Sequence, residues 1–272
     1  MSFLYACVVL VTLLGVCWLY YSERSPFTNK SKSKAKFKFI NLVLYSTGEE
    51  YDEMYRMTKS YYSSFPNVTT LYYIFDPDID KEFVLKAGIL RIKGTESYIP
   101  GILAKTMKAL AYTEKNYEFD YVVRSNISTI VDFDLLADYI GETPIEYGGG
   151  LKNEYKDEGE TYSDINGLVY ASGTAIIFSR KTLHEVVRKQ KHLRMDLIDD
   201  VALGLLMRNE LPDTPQHYTP PDKFLFVPDE GGNASRLQPL IEGKGIIFYR
   251  NRQDDRKKDV RQMQVIIDYL LA

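Results

Sequence analysis

Cysteine is scarce in this chain, and both residues, Cys7 and Cys17, lie in its first 21 positions. Everything downstream is without a thiol. That removes disulfide scaffolds, cysteine nucleophiles and Cys-based zinc sites from the main body of the protein. Histidine is nearly as rare, with only His184, His192 and His217, and no two of them have the spacing of a zinc pair. His217 lies in the Pro-rich stretch TPQHYTPP and is the histidine best placed to approach a crevice. No G-x-S-x-G elbow, no P-loop and no G-x-G-x-x-G fingerprint occurs. An excess of positive charge is also missing. The net charge is −3, which gives no global field for nucleic acid.

What is present begins with an uncharged apolar run, Phe3–Tyr21 (FLYACVVLVTLLGVCWLYY). As a helix rising about 1.5 Å per residue, it nearly spans a bilayer core of ~30 Å. Trp18, Tyr20 and Tyr21 close it as an interfacial aromatic belt would. No positive segment precedes the run and no small-residue cleavage site follows it, so it reads as an uncleaved transmembrane anchor over residues 1–21. Residues 22–38 form a Pro-containing stem that carries Arg24, Lys30, Lys32, Lys34, Lys36 and Lys38. By the positive-inside rule this side faces the cytoplasm, and the absence of downstream cysteines agrees. Against that stand four N-x-S/T sequons, at Asn29, Asn67, Asn126 and Asn233, which keep a Golgi-lumenal placement open.

Residues 39–272 read as one α/β domain. Asn41–Ser46, Thr70–Phe75, Ile89–Ile92 and Tyr121–Val123 are apolar strands. Gly48–Ser64 and Ile102–Glu114 between them have helical periodicity. This alternation predicts a sheet that is parallel in its first half. Phe133–Ile140, Thr182–Lys189, Ile198–Arg208 and Asp259–Leu271 read as further helices, and Leu168–Phe178 and Gly245–Tyr249 as strands. Gly148–Gly150 reads as a break, and Leu211–Pro221 and Pro228–Gly232 as breaker-rich loops. Tyrosine is abundant, at 22 residues, a composition compatible with amphipathic ligands such as sugars.

Three places carry chemistry. The strand DYVVRSN ends in Arg124, Ser125, Asn126 and Ser128, the kind of polar strand end that opens into a ligand crevice. Asp199 and Asp200 interrupt an apolar helical pattern near its start. They read either as acids favoured by the helix dipole or as a poised general base. Arg250 and Arg252 follow a strand and have the fork geometry that binds phosphate.

In order and spacing, ILAKTMKAL (Ile102–Leu110), DYVVRSN, YASGTAIIFSR (Tyr170–Arg180) and DDVALG (Asp199–Gly204) resemble the GT-A fold glycosyltransferases. Within these the resemblance is to the fringe and β-1,3-galactosyltransferase-like group and its divergent viral relatives, and it covers most of Phe39–Leu271. It implies a central mixed sheet flanked by helices, a nucleotide-sugar donor and a glycan or glycoprotein acceptor, with inversion at the anomeric carbon. A catalytically inactive member that binds a glycan or a partner is the alternative. By the resemblance Asp200 is the general base and Asp199 its neighbour. Ser172 and Gly173 shape the donor or acceptor wall, Asp76 contacts the nucleoside, and Lys105 lies in the helix before the donor strand. Where the group carries the acidic triplet that holds Mn²⁺ or Mg²⁺, this chain has Asn126-Ile127-Ser128. Neutral oxygens do not offset the charge of a hard divalent ion. Two solutions therefore stand. Arg124, Arg250 and Arg252 neutralise the diphosphate directly, or Asp132 and Asp134 recruit a metal from further along, on the helix side.

Overall fold

The computed structural model describes residues 37–156 and 161–272. The anchor at 1–21 and nearly all of the stem lie outside the described residues. Among those described, no helix is long and apolar enough to cross a membrane. The described residues form one compact unit.

The first half alternates strand and helix. β1 (Phe39–Leu44) is followed by α1 (Glu49–Tyr62), β2 (Val68–Asp76), the hairpin β3 (Phe83–Lys86) and β4 (Ile89–Lys93), α2 (Gly101–Asn116) and β5 (Tyr121–Asn126). Next come β6 (Thr129–Val131), α3 (Phe133–Glu142), β7 (Tyr147–Gly149), β8 (Lys152–Glu154), β9 (Val169–Ala171) and β10 (Ala175–Ser179). The remainder is α4 (Arg180–Arg188), α5 (Asp199–Glu210), β11 (Gln216–Tyr218), β12 (Phe224–Phe226), α6 (Ala234–Ile241), β13 (Phe248–Arg250) and α7 (Arg256–Leu271).

Eight strands form the central sheet in the order β11-β7-β10-β5-β1-β2-β4-β3. β1 pairs in parallel with β2 and β5, and β2 with β4; β10 then runs antiparallel to β5. The sheet is mixed: the first half of the chain supplies the parallel pairings of β1, β2, β4 and β5 as expected, β10 is antiparallel to β7 as well, and β11 is again parallel to β7. Strand periodicity sorts its residues onto two faces. Phe39 and Val43 of β1, Tyr72 and Ile74 of β2, and Ile177 of β10 join one core with residues of α1, α3 and α7. Ile40 and Leu42, Leu71 and Tyr73, and Ile176 and Phe178 join the other, with residues of α2, α4 and α5. Helices on both faces explain why these strands read as continuous apolar runs rather than as alternating ones.

Two expectations are corrected. Leu168–Phe178 is two strands rather than one. β9 pairs with β8 in a small separate sheet, the chain turns through Ser172–Thr174, and β10 enters the main sheet. Gly148–Gly150 does not break the chain. Gly148 and Gly149 belong to β7, an inner strand between β10 and β11. Glycine fits there because a Cβ on Gly148 would fall 1.5 Å from the His217 carbonyl oxygen of β11. β12, β13 and β6 form a third sheet, which carries Arg250 back beside the end of β5.

Candidate functional site

The parallel strands β1 and β5 end at one edge of the sheet, and a cleft of about 370 Å³ opens there. A volume of this size suits a small-molecule ligand, at the low end of about 300–1,000 Å³. Leu44 at the end of β1 and Ser46 just beyond it line the cleft, and Arg124, Asn126, Ile127 and Ser128 line it from β5 and the following turn. Gly173, Asp199 and Asp200 form one wall, and Arg250 and Arg256 another. Tyr51 and the exposed Tyr98 also face it.

The first wall is built on Arg124, a fully buried arginine on the face of β5 that meets α2 and α5. One terminal nitrogen lies 2.7 Å from Asp199 Oδ2. Its Nε donates to the Tyr73 hydroxyl at 3.2 Å, and the other terminal nitrogen donates to Asn126 Oδ1 at 3.0 Å and to the Gly173 carbonyl. Tyr73 continues to Thr106 of α2 at 2.9 Å, and the Thr106 hydroxyl donates to Asp199 at 3.3 Å. Burial alone would lower the Arg124 pKa, but Asp199, Tyr73 and Asp200 outweigh it and raise it. This cation is fully engaged by the protein.

Asp200 sits at the first turn of α5, where the helix dipole favours an acid. Its Oδ2 accepts from the Gly173 N–H at 2.8 Å and its Oδ1 from the Val201 N–H at 2.9 Å. Burial raises its pKa first and the Asp199 charge second, while the two backbone N–H groups and Arg124 pull the other way. The net direction is upward, so this carboxylate is more basic than an ordinary aspartate. Gly173 is the contact point between the two charges. A Cβ there would lie 3.1 Å from an Arg124 nitrogen and 3.2 Å from Asp200 Oδ2.

The second wall differs in kind. Arg250 ends β13 and is only 8% exposed. One of its terminal nitrogens donates to Ser128 Oγ at 2.5 Å and to Thr129 Oγ1 at 3.5 Å. Among the described residues it makes no ion pair. Burial lowers its pKa, with Arg256 and Arg252 adding repulsion, to about 10. Arg256, at the start of α7, is held by Asp259 at 2.6 Å.

The structure brings Asp199, Asp200, Arg124, Asn126, Ser128, Gly173 and Arg250 together around one cleft. The other sequence candidates stand outside its lining. Lys105 is buried and paired with Glu96 at 2.6 Å; burial lowers its pKa against the opposing pull of Glu96. Asp76 pairs with Arg91 at 2.6 Å, and that bond, then the Asp78 N–H, holds its carboxyl below the usual range. Ser125 points to the opposite face of β5, where Asn41 lies 3.5 Å away. Ser172 meets the Thr174 hydroxyl at 3.0 Å, and Arg252 is exposed. His217 lies in β11 at the far edge of the sheet.

Sequence reasoning missed Tyr51, Tyr98 and the cleft role of Arg256. Arg256 carried a signal, as the first residue of a basic helix start. The two tyrosines carried none that separates them from the other twenty in the chain.

The comparisons with known proteins are sparse. No family model matches the chain, and no curated protein matches it. Among solved structures it is similar to the crystal structure of a glycosyltransferase involved in the glycosylation of the major capsid of PBCV-1. The TM-score is 0.48, with 11% identity over 84% of this chain and 98% of that one. The description of that structure does not name the fringe or β-1,3-galactosyltransferase-like group.

A divalent ion bound as in GT-A enzymes would need carboxylate oxygens at the end of β5. Among the described residues no group of three or more His, Cys, Asp or Glu side chains is arranged to hold a metal. Asn126 and Ser128 already accept from Arg124 and Arg250. Asp132 caps α3, accepting from the Asp134 and Leu135 N–H groups at 3.1 Å, while Asp134 is exposed. Neither acid lines the cleft. The residues at this corner do not fit a hard divalent cation.

Proposed function

We propose that the protein transfers a sugar from a nucleotide-sugar donor to a hydroxyl of a glycan or glycoprotein acceptor, with inversion. One observation carries this reading. A single cleft at the carboxyl ends of parallel strands holds both a basicity-raised aspartate, Asp200, and cationic side chains able to receive a leaving diphosphate.

Asp200 takes the proton of the acceptor hydroxyl as that oxygen bonds to the anomeric carbon. The bond from that carbon to the diphosphate oxygen breaks, and its electron pair leaves with the nucleoside diphosphate. Asp199 instead fixes Arg124 through the buried ion pair. Arg124 and the Gly173 N–H orient Asp200 rather than contact the donor. Tyr98, 67% exposed at the rim, offers an amphipathic face on which an acceptor sugar can rest. The apolar run Phe3–Tyr21 supports attachment to a membrane as a single-pass anchor, and the lysine-rich stem supports a cytoplasmic-facing domain.

The test is a panel of nucleotide sugars incubated with the full chain, scored for sugar transfer and nucleotide release. Asp200→Asn should lose turnover while remaining folded. Wild-type turnover in that variant removes Asp200 from the base role. Glycan binding without turnover of any donor would instead favour a non-catalytic binding protein.

A further inference from the structure

We infer that the donor diphosphate is held by a metal-independent arginine clamp, Arg250 assisted by Arg256, at the place where a metal-binding acidic triplet would stand. The inference rests on the reading of the cleft as a nucleotide-sugar site, and it specifies how that ligand is recognised.

Arg250 lies at the end of β13, which pairs antiparallel with β6 so that Arg250 stands opposite Thr129. The turn from β5 into β6 carries Asn126-Ile127-Ser128. The guanidinium thus reaches this turn from a strand distant in sequence and is anchored to it through the Ser128 and Thr129 hydroxyls. A metal ion would occupy the same corner, and a fixed guanidinium there repels it.

Charge balance supports the same assignment. A buried charge is ordinarily paired or hydrogen-bonded by a counter-charge. Arg124, across the cleft, obeys this through Asp199. Arg250 has two hydroxyls instead, and its neighbours Arg256, Arg252 and Arg124 are cations, with Asp259 the acid nearby. Asp259 is itself engaged by Arg256 and by the Gln253 N–H at 2.9 Å. A strongly desolvated guanidinium that lines an open cleft and has no carboxylate partner among the described residues is a built receptor for an anion. Guanidinium groups bind phosphate oxygens in bidentate fashion, and two together match the paired phosphates of a diphosphate. Ser128 contributes by holding Arg250 in position, which gives the Asn-Ile-Ser sequence a purpose as the seat of an arginine rather than as a degraded metal site.

The experiment is a calorimetric titration of the full chain with UDP and GDP, first in EDTA and then in excess Mn²⁺. The clamp predicts that at least one nucleoside diphosphate binds in EDTA, with affinity changed less than about 3-fold by Mn²⁺. Arg250→Ala should weaken that binding by at least about 10-fold, and Arg250→Lys should restore part of it, since a point charge replaces a bidentate one. Because Arg250 is buried, Arg256→Ala provides a second variant at a more exposed position, and it too should lose affinity by several-fold. Binding only in the presence of Mn²⁺ would overturn the clamp and leave the sugar-transfer reading standing. Unchanged affinity in folded Arg250→Ala and Arg256→Ala would also overturn it. No binding of either diphosphate, nor of a panel of nucleotide sugars, under both conditions would overturn the sugar-transfer reading itself.

Discussion

Arg124 and Arg250 are both buried, both lie near the carboxyl end of a strand and both face the same cleft, yet their electrostatic situations are opposite. Arg124 meets a carboxylate, a tyrosine hydroxyl, a side-chain amide and a carbonyl, and its proton is held more tightly than in water. Arg250 meets two hydroxyls and a ring of other cations, and its proton is held less tightly. One charge is consumed in holding the protein together; the other has only hydroxyl partners among the described residues, which is what the proposed anion role requires. Burial and residue type alone therefore do not mark a functional arginine. The partners do.

The comparison breaks most visibly at Arg124. Arg124→Met would strand the Asp199 carboxylate, which is 3% exposed, without its counter-charge. We expect a loss of about 3–5 kcal/mol of stability, read from urea denaturation. Next in size is Asp200→Asn, where loss of a positioned base should cost about 10²–10⁴-fold in turnover with little change in the denaturation midpoint. Arg250→Met should move stability in the other direction from Arg124→Met. Replacing a cation that lacks a carboxylate by an apolar side chain should leave the ligand-free protein unchanged or more stable by about 1 kcal/mol, while abolishing stabilisation by added nucleotide. The pH profile sharpens the contrast further. Asp200 must be ionised to accept a proton, and its pKa is raised above 3.8, so the acid limb of the rate profile should lie above that value. A limb at or below 3.8 would mean that the base is an unperturbed carboxylate. The smallest effect belongs to Arg252→Ala. This exposed side chain is screened by solvent, and the change should alter nucleotide affinity by less than about 2-fold at physiological salt.

The sequence revealed these walls unequally. The parallel half of the sheet was legible because each strand is an apolar run followed by a helix of clear periodicity. The short strands β7, β8, β11 and β12 were not, since three residues leave no period to read. Gly148 and Gly149 were actively misleading. Their small size reflects a neighbouring strand, which no local pattern encodes. At the site, Asp199 and Asp200 stood out as acids interrupting apolar helical sequence, and Arg124 as a charge ending a buried strand. Their mutual pairing did not show, because it depends on α5 packing beside β5. Lys105 and Asp76 read as ligand contacts for the same reason in reverse. Their partners, Glu96 and Arg91, become neighbours only when the chain folds.

The turn at Gly173 has a mechanical consequence. The two peptide groups flanking its Cα are pinned from opposite sides, the carbonyl by Arg124 and the N–H by Asp200. A glycine so tethered behaves as a rigid coupling rather than a pivot. Any tilt of the Asp200 carboxylate must drag the turn, and the turn must drag the buried salt bridge behind it. The aim of Asp200 is thereby tied to a buried ion pair, so that, if Asp200 is the base as proposed, heat or denaturant should spoil turnover only when the fold itself gives way.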